Sequence, residues 1–134
     1  MARGKFLILL DTCTLLWLAT DQGKLSDTAR GVLSKHPAEI YVSAISAFEL
    51  GIKYEKKLLR LPHKPTLWFE KVIEWHGLLE IPVDHKIAAR SAELPKHHHD
   101  PCDRMIIATA LEYGFKILSP DRHFSPYREI ECVW

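Results

Sequence analysis

Phe6-Leu-Ile-Leu-Leu10, followed at once by Asp11-Thr12, is the stretch that decides the fold of this chain. Five consecutive apolar residues without polar alternation read as a strand buried on both faces, the pattern of a central strand in a parallel sheet. The run is too short for the core of a secretory signal or for a membrane span, so no membrane association is expected. It ends on a carboxylate. Open α/β sheets bind their ligands just beyond the carboxyl ends of their strands.

Outward from that strand, apolar segments alternate between the two periods. Thr12 to Ala19 and Leu25 to Leu33 read as helices, the second capped by Ser26 and stopped by Pro37. Ile40-Tyr-Val42 is a short strand, and Ser43 opens a helix to about Leu59. Leu61 to Pro65 reads as a linker, Leu67 to Trp75 as a helix ending near Gly77, and Leu78 to Val83 as a strand. Asp84 caps a helix to Leu94, Lys96 to Asp100 is a loop, and Cys102 to Tyr113 is a helix stopped by Gly114. Phe115 to Leu118 is a strand, Ser119 to Tyr127 a loop or short helix, and Ile130 to Val133 a last edge strand. This order predicts an α/β fold: a three-layer α/β/α sandwich around a parallel sheet of four to five strands.

The 134 residues, 47% hydrophobic and 26% charged, suffice for one core, and residues 1–134 are expected to form a single domain. A net charge of +1 argues against general attraction to polyanions or membranes, so any such partner must be met by a local patch or a bound metal. Cys13, Cys102 and Cys132 are an odd set without a CxxC pair, which favours free thiols and a reducing cytoplasm.

Four acids fall where a strand-end site would collect them. Asp11 ends the first strand, Glu49 lies early in the helix after the second, Asp103 opens a late helix, and Asp121 follows the strand after it. No local interaction links acids so far apart in sequence, whereas a shared site would. Hard divalent cations prefer oxygen ligands and relieve carboxylate repulsion. One or two such ions also activate water for attack on a phosphodiester. Each acid has a local alternative as well. Asp11 can cap the following helix, Ser46-Ala-Phe-Glu49 matches a capping box, Asp103 can complement a helix dipole, and Asp121 can be a turn residue. Asp100, before Pro101, reads first as a helix cap.

The segments Leu9-Leu-Asp-Thr12, Ser43-Ala-Ile-Ser-Ala-Phe-Glu-Leu-Gly-Ile-Lys53, His99-Asp-Pro-Cys-Asp-Arg-Met-Ile-Ile-Ala-Thr-Ala110 and Leu118-Ser-Pro-Asp-Arg-His-Phe124 together resemble PIN-domain nucleases. The likeness is greatest to VapC-type toxins of type II toxin–antitoxin systems and runs from Phe6 to about Tyr127. It implies cleavage of RNA that depends on Mg²⁺ or Mn²⁺, inhibition by a cognate antitoxin protein, and a homodimer. By the same resemblance Asp11, Glu49, Asp103 and Asp121 are the catalytic, metal-binding acids, and Thr12, Ser119 and Asp100 support them. Cys102 and Pro120 depart from the usual pattern, which has an aromatic and a small residue there.

Arg104 and Arg122 each follow a proposed ligand and read as phosphate contacts or as restraints on the acids. Lys53 heads a basic run with Lys56, Lys57, Arg60 and Lys64, which reads as a solvated helix face with RNA contact as the alternative. His97-His98-His99 reads as an exposed loop near the site, with His99 placed to orient substrate. The tryptophans read as core or interface residues, and the apolar helix around Leu50 to Leu61 as core or as a groove for a second copy or an antitoxin. Two other functions remain open: a phosphoryl-transfer domain such as a receiver or phosphatase, and a catalytically silent PIN-like binding module.

Overall fold

The structure, a computed structural model, describes residues 7–35 and 39–134. Phe6, at the start of the expected first strand, and Pro37, the expected helix stop, lie outside the described residues. Five strands form one sheet: β1 (Ile8–Leu10), β2 (Ile40–Ser43), β3 (Leu79–Ile81), β4 (Lys116–Leu118) and β5 (Cys132–Val133). Their order is β3-β2-β1-β4-β5, and every pairing is parallel. β1 is central, with Leu10 level with Val42 on one side and Leu118 on the other.

The helices are α1 (Thr12–Thr20), α2 (Asp27–Lys35), α3 (Ala44–Glu55), α4 (Pro65–His76), α5 (His85–Glu93) and α6 (Pro101–Tyr113). Side chains alternate across the sheet, so β1 feeds two cores. Ile8 and Leu10 pack with Leu15, Leu50, Trp68 and Val72 from the α1–α4 layer. Leu9 packs with Ile87, Ile106 and Ile107 from the α5–α6 layer. This is the expected three-layer sandwich. A slip of β1 by one residue would exchange the two sets, so both cores together fix its register.

Boundaries differ from the sequence reading in ways that local chemistry explains. α3 stops at Glu55 rather than Leu59, because Lys57 turns left-handed at φ 61°. Leu58 N–H then donates to Lys53 O at 2.9 Å and Lys57 N–H to Tyr54 O at 3.0 Å, which closes the helix end. Pro65 opens α4 instead of ending a linker, since the first helical position needs no N–H. Leu78 belongs to the close of α4, its N–H donating to Ile73 O at 3.0 Å, so β3 begins one residue later. Among the described residues no helix is long and apolar enough to cross a membrane, and all three cysteines are free.

Candidate metal centre

β1 is where the strand order turns, with β2 on one side and β4 on the other, so loops leaving β1 and β4 part above the sheet. Asp11 leaves β1 there. Its Oδ1 accepts from Thr14 N–H at 2.8 Å and caps α1, while Oδ2 accepts from the Ser119 hydroxyl at 2.5 Å. Ser119 leaves β4, and its Oγ also accepts from Asp121 N–H at 3.0 Å. Asp121 Oδ1 in turn accepts from His123 N–H at 2.8 Å, capping a 3-10 turn at Arg122–Phe124. Phe124, wholly buried, anchors that turn to the α5–α6 core.

Glu49 arrives from α3. The helix is capped by Ser43, whose Oγ accepts from Ile45 N–H at 3.1 Å, so the expected Ser46–Glu49 capping box does not form. Ser46 is buried instead and shares a 2.8 Å hydrogen bond with Thr12, tying α3 to α1. Glu49 Oε2 lies 3.5 Å from Lys53 Nζ one turn on, and Oε1 is buried with no hydrogen-bond partner among the described residues. Asp103 arrives from the first turn of α6, whose cap is Asp100, with Oδ1 accepting from Cys102 N–H at 2.8 Å.

All four acids meet. Asp11, Glu49, Asp103 and Asp121 line one cavity of about 350 Å³, together with Thr12, Cys13, Lys53 and Pro120. Their mutual field is severe. Asp103 is pushed up to about 7, by burial first and then by the charges of Asp100, Glu49, Asp11 and Asp121. Asp11 is raised as well, by burial, against the opposing hydrogen bonds from Ser119 and Thr14. Cys13 and Cys102 are pushed up to about 11 by burial and by the same acids, so they stay as thiols at neutral pH. The donor set is therefore carboxylate oxygen. Its repulsion and its unpartnered Glu49 oxygen fit a hard divalent cation of the Mg²⁺ or Mn²⁺ kind.

The remaining expectations divide. Lys53 lines the cavity with its ammonium half exposed, whereas Lys56, Lys57 and Arg60 are solvent-exposed away from it. Arg122 and His99 are exposed on neighbouring loops. Of the two readings of Arg104, the phosphate contact is corrected: the side chain is buried. Its guanidinium donates to Ser91 O at 2.8 Å, Leu94 O at 2.9 Å, Pro95 O at 3.1 Å and His98 O at 3.0 Å. It holds the loop between α5 and α6 and so acts on the acids only through that loop.

That loop carries a residue the sequence did not single out. His98, not His99, turns inward, its Nε2 2.9 Å from Asp103 Oδ2. His123 faces it with ring centroids 5.2 Å apart and Nδ1 2.8 Å from Asp121 Oδ1. The run of three histidines flagged the loop, but which ring points inward depends on the Arg104 clamp.

The chain is similar to known proteins in sequence and in fold. The sequence profile of the PIN domain matches residues 8–130. Ribonuclease VapC22 of Mycobacterium tuberculosis is 30% identical over 122 residues, which are 90% of this chain and 92% of that protein. Among solved structures, DNA-bound VapBC from Salmonella typhimurium superposes with a TM-score of 0.70 at 20% identity, covering 96% of this chain and 98% of that chain. VapC20 of Mycobacterium tuberculosis, a toxin that cleaves the sarcin-ricin loop, gives 0.64 at 15% identity over 90% of this chain and 95% of its own. Strand-end acids, a parallel sheet of this order and a profile match over most of the sequence lead to one assignment: the chain belongs to the PIN domain family.

Proposed function

We propose that this chain is an Mg²⁺- or Mn²⁺-dependent endoribonuclease and the toxin of a toxin–antitoxin pair. The observation that carries the proposal is the convergence of Asp11, Glu49, Asp103 and Asp121 on one cavity in a PIN-family chain. Those four residues would hold the cation. Once bound, it supplies a Lewis acid for a phosphate oxygen and lowers the pKa of a water.

The protein's own share is to hold the acids still and to meet the RNA. Ser119 fixes Asp11 and Asp121 relative to one another. The Thr12–Ser46 bond keeps α1 and α3 at constant separation beneath Glu49. Lys53 puts a cation at the cavity wall, where it offsets Glu49 and can meet a phosphate. Arg122 and His99, exposed on adjacent loops, extend the contact surface for RNA.

The toxin role rests on the kinship with a VapC ribonuclease and on the shared fold with VapC chains solved as VapBC complexes. An antitoxin partner suits the surface. Phe48, Ile52 and Leu67 are exposed, and a cavity of about 790 Å³ lies between α3 and α4, so a protein partner or a second copy in a homodimer has apolar area to cover. Phosphoryl transfer through Asp11 is disfavoured: the residue is 4% exposed and both its carboxylate oxygens are already hydrogen-bonded.

Digestion of RNA by the purified chain with Mn²⁺ tests the reading. Cleavage should vanish with EDTA and with Asp103→Asn, while circular dichroism stays unchanged. Full cleavage by a folded Asp103→Asn protein overturns it.

A further inference from the structure

We propose that His98, Asp121 and His123 form a separate cation position beside the acid cavity, one that takes a borderline transition-metal ion of the Zn²⁺ or Co²⁺ kind in preference to Mg²⁺. One donor atom from each of the three lies within 4.8 Å of the others. Two imidazoles and a carboxylate, open to solvent on the fourth side, are the donor set of three-ligand zinc sites. Imidazole nitrogen favours zinc-like ions, whereas carboxylate oxygen alone suits magnesium.

The position is built rather than incidental. His98 is held through its backbone: its N–H donates to the Tyr127 hydroxyl at 3.0 Å, and its carbonyl accepts from buried Arg104. Its side chain is only 13% exposed, and Nε2 is buried 2.9 Å from Asp103 Oδ2. That is an imidazole nitrogen kept from water and faced by a carboxylate oxygen. His123 is carried by the turn that Phe124 anchors and is 76% exposed, leaving a side for water ligands. Asp121 already lines the acid cavity, so its carboxylate belongs to both positions. A metal must displace two close contacts, His98 Nε2 with Asp103 Oδ2 at 2.9 Å and His123 Nδ1 with Asp121 Oδ1 at 2.8 Å. His98 Nδ1 accepts from Asp100 N–H at 3.4 Å, and this long bond gives way when Nε2 binds a metal and the ring proton moves to Nδ1.

This inference rests on the acid-cavity reading only through the shared Asp121. It adds to that reading a second ion of different chemistry, so ion count and cation preference should be set by histidines as well as acids.

The test is Zn²⁺ titration by calorimetry on the full chain in excess Mg²⁺, with Co²⁺ visible absorption as the signature of nitrogen ligation. The wild type should take up Zn²⁺ and give intensified Co²⁺ bands. His98→Gln and His123→Gln should each weaken Zn²⁺ binding at least about tenfold and bleach those bands. The Asp11→Asn, Glu49→Gln double variant should keep both. His123 is exposed, so its substitution does not endanger the fold. Unchanged affinity and spectrum in the histidine variants overturn the proposal. So does loss of Zn²⁺ in the folded acid variant, which would put the ion in the acid cavity, or no Zn²⁺ uptake by the wild type. None of these readouts involves RNA, so they stand or fall apart from nuclease activity.

Discussion

Ser119 Oγ donates to Asp11 Oδ2 at 2.5 Å and joins the ends of β1 and β4 across 108 positions of chain. The same oxygen receives Asp121 N–H, so one hydroxyl sets two acids. Ser119→Ala leaves a buried carboxylate oxygen without its donor, which costs about 1–3 kcal/mol of stability. Cation affinity and RNA cleavage should fall about 10- to 100-fold, as they do when groups that orient metal ligands are lost. Urea denaturation and Mn²⁺ titration check both effects; wild-type values in both would mean that the bond does nothing.

The repulsion among the acids has a sign that can be measured. Asp103 sits at about 7, above its ordinary 3.8, because burial and then four neighbouring carboxylates oppose its charge. A carboxyl with a raised folded pKa holds its proton better folded than unfolded. Its stabilising contribution is complete below about 3.8 and is lost as pH rises through about 7. In EDTA the protein should melt lower at about pH 8 than at about pH 6, and Mn²⁺ should raise Tm more at the higher pH. Asp103→Asn should flatten the slope. A cation-free Tm that climbs over this interval would count against the cluster.

Arg104 predicts an asymmetry between two substitutions. Its planar guanidinium serves four carbonyls around the α5–α6 loop. Arg104→Ala strands those acceptors and should cost about 3 kcal/mol or more. Arg104→Lys should recover little, because a point-charge ammonium cannot reproduce the fork. Equal stability of the Lys variant and wild type in denaturant titration would refute the clamp.

Lys57 predicts a gain. A non-glycine residue at φ 61° carries a steric cost of about 1–2 kcal/mol relative to right-handed backbone. Lys57→Gly should relieve part of it and stabilise the fold by about 0.5–1 kcal/mol, since α3 keeps its closing bonds. Thermal unfolding reads this directly, and a lower Tm would contradict it.

The sheet and the acids were legible because both follow from short-range rules. An unbroken apolar run must be central, and Asp11 and Asp121, just after β1 and β4, are carried to one edge, where Glu49 and Asp103 join them from α3 and α6. Arg104 was misread as a phosphate contact because sequence neighbours on a helix point about 100° apart. Asp103 faces the cavity, so Arg104 faces the end of α5. Glu49, Ser46 and Lys53, spaced three and four apart, do share a side. His98 was illegible for a different reason. Its inward turn depends on Tyr127 and Arg104, contacts that a local pattern does not contain. Likewise, the end of α3 was set by the backbone at Lys57, while the apolar pattern ran on into Leu58, which is 74% exposed.

Asp11 and Asp121 each give one oxygen to a nearby amide before facing their neighbours. This division of labour dictates side-chain length. Where a carboxylate must also start a helical turn, only the short acid reaches back to the amide two or three residues on. Where Ser43 has already done that work, the longer acid at 49 is free to lean in from α3. The choice between aspartate and glutamate at 11, 121 and 49 is thus an architectural decision, made by the chain's change of direction before any ion arrives.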